Sequence, residues 1–273
     1  MKLFILAIGF FTRLPVSKIE YTDERYRKAV KLAPLVGLVI GAILVLIQLL
    51  TVALDVPAFI RGALILCAYI VLTGGLHFDG LADTCDGVFS GRTREKSLEI
   101  MKDSRIGVFG TLGIFMTGLF YFAMFSEAPA AVILVFPVCG RACCLISASL
   151  APYARADGMG KATSLEGGPQ SVTAAAISII GASFLIVPLL AFIFLLGTGY
   201  SAMSVVLAGD AFLIPVVCSL IAAGAAVLAT ACMTFYFRRK LGGVTGDTFG
   251  AVIEVSSIVY LLVSIVLFRG FLL

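Results

Sequence analysis

Charged side chains are scarce in this chain. Asp, Glu, Lys and Arg make up 13% of its 273 residues, about half the share found in ordinary soluble domains. With 60% of the residues hydrophobic, a water-soluble fold of this length would hold more apolar surface than it could hide; a bilayer removes the need to hide it. Histidine occurs once, at His77. The cysteines include no C-x-x-C pair, which excludes the usual redox and zinc-ribbon spacings and leaves them as soft packing groups in apolar runs. Basic and aromatic residues do not interleave, so nothing here suggests a nucleic-acid surface. No lysine or arginine occurs between Arg61 and Arg92, the stretch that holds the densest acidic cluster.

What is abundant is apolar sequence in long runs. At about 20 residues per crossing, the length allows roughly six to eight spans. The runs predict seven, near 32–54, 58–76, 108–126, 129–152, 173–197, 211–237 and 248–268, with 198–210 ambiguous. Met1 to Phe11 has the length of a signal h-region but lacks a small-residue cleavage site, and Arg13 and Pro15 follow at once. It reads as a retained interfacial or re-entrant helix. The expected fold is therefore all-α, a polytopic integral membrane bundle of about seven spans, with 1–273 forming one membrane-embedded domain.

Basic residues alternate between the connections. All but Arg61, Arg141 and Arg269 fall in the N-terminal segment or in the loops after the second, fourth and sixth expected spans. The positive-inside rule then puts the N-terminus in the cytosol. The carboxylates follow the same side; only Asp55, Glu127 and Asp210 lie elsewhere.

Asp79, Asp83 and Asp86 stand at i, i+4 and i+7, one face of a helix with neighbouring Cβ atoms about 5–6 Å apart. Three carboxylates this close, with no local cation, call for a divalent metal, and all-oxygen ligation favours Mg²⁺ or Mn²⁺. His77, two residues earlier, is a candidate catalytic group. Lys102, Asp103 and Arg105 close the same loop, with the spacing to clamp phosphate oxygens. A third acidic stretch contains Gly243, Thr245, Asp247 and Glu254; its Asp–Glu spacing of seven repeats that of Asp79 and Asp86. Two acidic helices are thus expected to face one site. Glu254 lies about two turns into the bilayer, where an unpaired carboxylate is expensive. Arg141, alone in mid-span, either pairs with it or reaches a substrate phosphate. Glycines around Asp79 and Asp247 either pack helices or let backbone approach a phosphate; Gly37 and Gly41 read as helix packing. Gly160-Lys161-Ala162-Thr163 imitates the end of a P-loop but lacks the Lys-Ser/Thr step. The Gly-rich connection from Arg155 to Gln170 is a candidate lid.

Taken together, Phe11-Thr12-Arg13-Leu14-Pro15, Leu76-His77-Phe78-Asp79-Gly80-Leu81-Ala82-Asp83, Asp86-Gly87, Met101-Lys102-Asp103-Ser104-Arg105-Ile106-Gly107 and Gly242 to Asp247 with Glu254 resemble the cobalamin synthase (adenosylcobinamide-GDP ribazoletransferase) family over nearly the whole chain. The resemblance implies a Mg²⁺-dependent late step of vitamin B12 assembly at the prokaryotic cytoplasmic (inner) membrane. Its substrates would be adenosylcobinamide-GDP and α-ribazole or its 5′-phosphate, with GMP released. Under it, His77, Asp79, Asp83, Asp86, Lys102, Asp103 and Arg105 are expected to be catalytic. Asp79, Asp83, Asp86 and Asp247 are the metal candidates, and Arg13, Arg141, Gly243, Thr245, Asp247 and Glu254 the substrate-binding ones. The lipid bilayer is the expected partner, nucleic acid is not, and the sequence leaves homo-oligomerisation open. The competing readings are a CDP-alcohol phosphotransferase, a membrane prenyltransferase and, from another class, a cation transporter. The first would begin an Ala-Arg where Asp83 stands.

Overall fold

The structure is a computed structural model that describes residues 1–17, 19, 20, 22–156, 158, 160–165, 168–197 and 209–272; the side chains of 162, 164, 165, 186–197, 209–214 and 269–272 are not described. The chain folds into helices in this order: α1 (Lys2–Phe11), α2 (Asp23–Val30), α3 (Ala33–Ala53), α4 (Ala58–Thr73), α5 (Leu76–Phe89), α6 (Arg94–Ile100), α7 (Val108–Glu127), α8 (Ala130–Leu150), α9 (Gly160–Leu165), α10 (Pro169–Gly197), α11 (Gly209–Leu241) and α12 (Gly246–Leu272).

Five helices are long and apolar enough to cross a bilayer: α3, α7, α8, α11 from Pro215 and α12 to Phe268. α4 and α5 together pass the same test as a pair bent by 88°. The described residues thus hold five helices able to cross, or six crossings with the bent pair, where the sequence reading expected seven. Two places account for the difference. The apolar run at 58–76 breaks at Gly74 and Gly75, both left-handed with φ of 63° and 70°, a conformation that costs an L-residue roughly 1–2 kcal/mol. The run at 173–197 falls on α10, a helix of 29 residues whose side chains are described only as far as Leu185, so it is not counted among the five. The ambiguous stretch 198–208 lies outside the described residues. The N-terminal helix α1 has ten residues, about 15 Å at 1.5 Å per residue, half of a hydrocarbon core. It packs on α2 and α3.

α8 is the hub, with 89% of its span buried against 28% for α7; it contacts α3, α10, α11 and α12. A Cβ on Gly37 or Gly41 would overlap the carbonyls of Pro137 and Leu134, so α3 lies backbone-close on α8, the small-residue packing that lipid-embedded helices use. Leu46, Phe115, Leu119 and Ile177 point outward, an apolar girdle that only a lipid-like surround tolerates. The protein is a multi-pass membrane protein.

The basic connections assigned to one face do meet. Arg94 donates through Nε to the Leu241 carbonyl (2.8 Å) and through Nη2 to that of Ala154 (3.1 Å), and Lys240 Nζ donates to the Arg92 carbonyl (2.9 Å). The loops after α5, α8 and α11 are therefore one bonded layer, and the candidate site is built directly beneath it.

Candidate functional site

α5 is amphipathic in an unusual sense. Its buried side carries His77, Leu81, Thr84 and Val88, while Asp79 is exposed and Asp83 and Asp86 are half-buried. It runs against α7 and α12. The approach to α12 is possible because both helices have glycine at the crossing. A Cβ on Gly80 would sit 2.8 Å from the Asp247 carbonyl oxygen, and one on Gly250 2.9 Å from that of His77. The glycines flanking the acidic motifs thus bring two backbones together, and the two acidic helices face one site. Gly250→Ala is expected to push α12 off α5 and lower the melting temperature of detergent-purified protein by several degrees. An unchanged melting curve would refute the tight crossing.

The start of α12 is held by a reciprocal cap. Thr245 Oγ1 accepts from the Thr248 amide (3.2 Å), and Thr248 Oγ1 accepts from the Thr245 amide (2.7 Å). Just before it, Val244 pairs with the chain leaving α8: its amide donates to the Pro152 carbonyl (2.9 Å) and its carbonyl accepts from the Ala154 amide (2.8 Å). Gly243 lies under the Pro152 carbonyl, where a Cβ would overlap it. Gly243 and Thr245, read from sequence as substrate contacts, hold backbone in this structure. Thr245→Ala is expected to cost about 1 kcal/mol, readable as a shifted unfolding midpoint.

This pairing carries Arg155 onto Asp247, with Nη2 to Oδ2 at 2.8 Å and both side chains largely buried. Asp83 shares the electrostatic field of Asp247, Asp79 and Asp86 together with that of Arg155. Asp79, Asp83 and Asp247, from two helices, thus lie near enough to repel one another, and Arg155 offsets the charge of both Asp83 and Asp247. Arg155 is the functional residue that sequence reading left among the loop charges. Its only sequence signal was its place in the Gly-rich connection after α8.

Asp86, expected as a metal ligand, has a structural partner in this structure. Its two oxygens accept the amides of Gly107 (2.7 Å) and Gly110 (2.8 Å), so it caps α7 from α5 and ties down the loop that carries Lys102, Asp103 and Arg105. In that loop Arg105 Nη2 and Asp103 Oδ2 pair at 2.6 Å, and the guanidinium pulls the exposed Asp103 carboxyl down to about 2. The pair thus stays charged at any pH above that. Lys102 and Arg105 are exposed and lie outside the cavity described next. Arg13 is also exposed; its amide donates to the Leu72 carbonyl (2.7 Å), and its side chain covers Gly74 at the α4–α5 break.

Glu254 and Arg141 are both fully buried, yet they form no ion pair. Glu254 Oε2 accepts from Tyr121 (2.6 Å) and Oε1 from Tyr69 (3.1 Å). Those tyrosines belong to an aromatic cluster with Phe125 and Phe136. Arg141 Nη1 donates to the Pro137 carbonyl (3.1 Å), and its Nε and Nη2 have no hydrogen-bond partner. The carboxylate is held by two phenols rather than by Arg141, one of the two partners the sequence left open for that arginine being Glu254.

Beside the acidic spot a cavity of about 190 Å³ opens among α1, α2, α5, α8, α9 and α12. Its walls are Phe10, Phe11, Tyr26, Leu76, Cys144, Phe249 and Ile253; His77, Thr163, Asp79 and Asp247 supply its polar groups. Among the described residues no three His, Cys, Asp or Glu side chains form a ready metal cage.

Fold and site together define a polytopic helical membrane protein with an acidic cleft between two glycine-crossed helices, walled by aromatics. Compared with known proteins, residues 3–265 match the family described as cobalamin-5-phosphate synthase, and the chain belongs to that family. Among its relatives, the adenosylcobinamide-GDP ribazoletransferase of Clostridium acetobutylicum is 38% identical over 97% of both chains. That of Fusobacterium nucleatum subsp. nucleatum is 34% identical over 98% of both, and that of Acetivibrio thermocellus 35% identical over 96% of both. No solved structure matches the chain.

Proposed function

We propose that this protein joins adenosylcobinamide-GDP to α-ribazole or its 5′-phosphate, a late step of cobalamin biosynthesis. The observation that carries the reading is the convergence of Asp79, Asp83 and Asp247 from two helices, in a chain of this family. A ribose hydroxyl oxygen bonds to the phosphorus on the corrinoid side of the pyrophosphate. The bond from that phosphorus to the bridging oxygen breaks, and GMP leaves with the oxygen. Such a displacement needs alignment and charge neutralisation more than covalent help.

Asp79 or Asp83 takes the hydroxyl proton, since each stands at the cleft with a free carboxylate edge. Arg155, already bound to Asp247, orients that carboxylate and contributes positive charge. Lys102 and Arg105 reach the departing GMP from the loop that Asp86 anchors.

Mg²⁺ fits the donor set. It takes one or two carboxylates and fills its other positions with water and phosphate oxygens, so the lack of a closed three-residue cage among the described residues suits a site completed by the pyrophosphate. Asp247 and one of Asp79 and Asp83 would hold it, the other being left as the base, and when bound it would supply charge neutralisation at the pyrophosphate. The bonded loop layer carries half of the basic residues, and it faces the cytosol of the inner membrane in this reading, with the basic N-terminal segment on the same side.

The test is GMP release by detergent-purified protein given both substrates. Formation of the joined corrinoid, abolished by chelation and restored by Mg²⁺, is the expected result. Turnover of a CDP-alcohol or a prenyl diphosphate without any corrinoid product would reject the reading.

A further inference from the structure

The cavity between α1, α5 and α12 has a character that the transfer chemistry alone does not require. Its interior is apolar and largely aromatic, and its polar groups are few. His77 is 4% exposed, lines the cavity, and leaves Nε2 without a hydrogen-bond partner. A buried polar nitrogen left unpaired costs roughly 1–3 kcal/mol, so this one awaits a ligand atom.

Both substrates carry rings, and size and polarity choose between them. A dry cavity of about 150 Å³ takes up a benzene ring, so 190 Å³ suits one small flat ring system. A corrin macrocycle is several times too large. Guanine is flat enough, but its edge presents several donors and acceptors, each needing a partner once buried. The two carboxylates, which guanine's N1–H and amino group could use, are taken up by the transfer chemistry of the proposed function; beside them the lining side chains offer Thr163, the Tyr26 hydroxyl, the Cys144 thiol and His77. A benzimidazole has an apolar carbocycle and a single ring lone pair. That lone pair matches one donor, His77 with its proton on Nε2.

We infer that this cavity seats the benzimidazole base of α-ribazole, with Phe10, Phe11, Tyr26 and Phe249 against its faces and edges and His77 Nε2 donating to its free ring nitrogen. The inference rests on the proposed function and deepens it. The ribose attached to the base then leaves the cavity beside Asp79 and Asp247, which line it too, and its hydroxyls meet the carboxylates where the displacement takes place. His77 becomes a positioning residue for the nucleophile, and the proton transfer is left to the acids.

The test measures binding of α-ribazole and of adenosylcobinamide-GDP separately, by calorimetry on full-length protein in detergent, for wild type, Phe249→Leu, Phe11→Leu, His77→Gln and His77→Leu. Phe249→Leu keeps an apolar filler and removes the ring, so the fold survives if the more drastic Phe249→Ala does not. Aromatic stacking on a base justifies an expected loss of about fivefold or more. The Phe variants and His77→Leu should weaken α-ribazole to this extent, His77→Gln should recover part of it, and adenosylcobinamide-GDP affinity should stay within about twofold. In turnover the same variants should raise KM for α-ribazole more than they lower kcat. GMP displacing α-ribazole, or equal losses for both substrates, would overturn the cavity assignment. Wild-type protein that binds both substrates, with α-ribazole affinity indifferent to Phe11, Phe249 and His77, overturns this assignment alone. Wild-type protein that binds neither defeats the proposed function together with it.

Discussion

Asp83→Asn is expected to lower turnover by about a thousandfold in protein that purifies and melts like the wild type. Asp83 sits mid-way along α5, half-buried, in the shared field of Asp79, Asp247 and Asp86. The amide is nearly isosteric, and removing one of several crowded negative charges does not harm the fold, so the loss falls on chemistry. Asp86→Asn should behave in the opposite way. Asp86 receives two amides at the start of α7; asparagine offers one carbonyl oxygen and turns an NH₂ group toward the second donor. The expected cost is about 1–2 kcal/mol of stability, with turnover per folded molecule reduced much less than in Asp83→Asn. Single-turnover rates and melting curves of the two variants, taken together, decide the matter. A nearly normal rate for Asp83→Asn would reject its place at the reaction, and an inactive but fully stable Asp86→Asn would return Asp86 to the chemical site.

The second large effect concerns the bundle interior. Glu254→Ala should destabilise the protein by roughly 3 kcal/mol or more. It leaves the Tyr69 hydroxyl without its carboxylate acceptor and the Tyr121 hydroxyl with only the more distant backbone carbonyl of residue 254, at 3.4 Å. It also leaves Arg141, buried with two unpartnered nitrogens, without a neighbouring counter-charge. Glu254→Gln separates the two contributions, because its carbonyl oxygen still accepts from a tyrosine while the charge is gone. Unfolding in a graded denaturing detergent mixture should rank wild type above Gln and Gln above Ala. Equal stability of all three would mean that the network contributes nothing to the fold.

The residues differ in how far sequence could place them. The i, i+4, i+7 spacing of Asp79, Asp83 and Asp86 forecast one helical face, and α5 is that helix. It did not forecast that Asp86 would turn to the amides of Gly107 and Gly110, because capping depends on where α7 begins relative to α5 in space. The repeated acid spacing suggested two helices facing one site, and the Gly80–Gly250 crossing brings α5 and α12 together. Arg141, the lone mid-span cation, could by sequence either pair with the deep carboxylate of Glu254 or reach a substrate phosphate. Two tyrosines from α4 and α7 reach Glu254 instead, and nothing in their own sequence marks them as acceptor-seeking. The run at 58–76 read as one straight span because hydropathy averages over Gly74 and Gly75, whereas the 88° bend between α4 and α5 is a matter of two φ angles.

Sequence by itself determined the solvent and the sidedness of this protein's charges, because hydropathy and charge are summed along the chain and need no partner. It also placed the acids on helical faces, since periodicity is local. Tertiary structure alone decided which acids remain free at the cleft, that Arg155 joins Asp247, and that aromatics from α1, α2 and α12 enclose one cavity with His77. Those outcomes depend on atoms brought within 3 Å to 6 Å of each other from distant parts of the chain, and such distances are set by helix crossings that no single segment encodes.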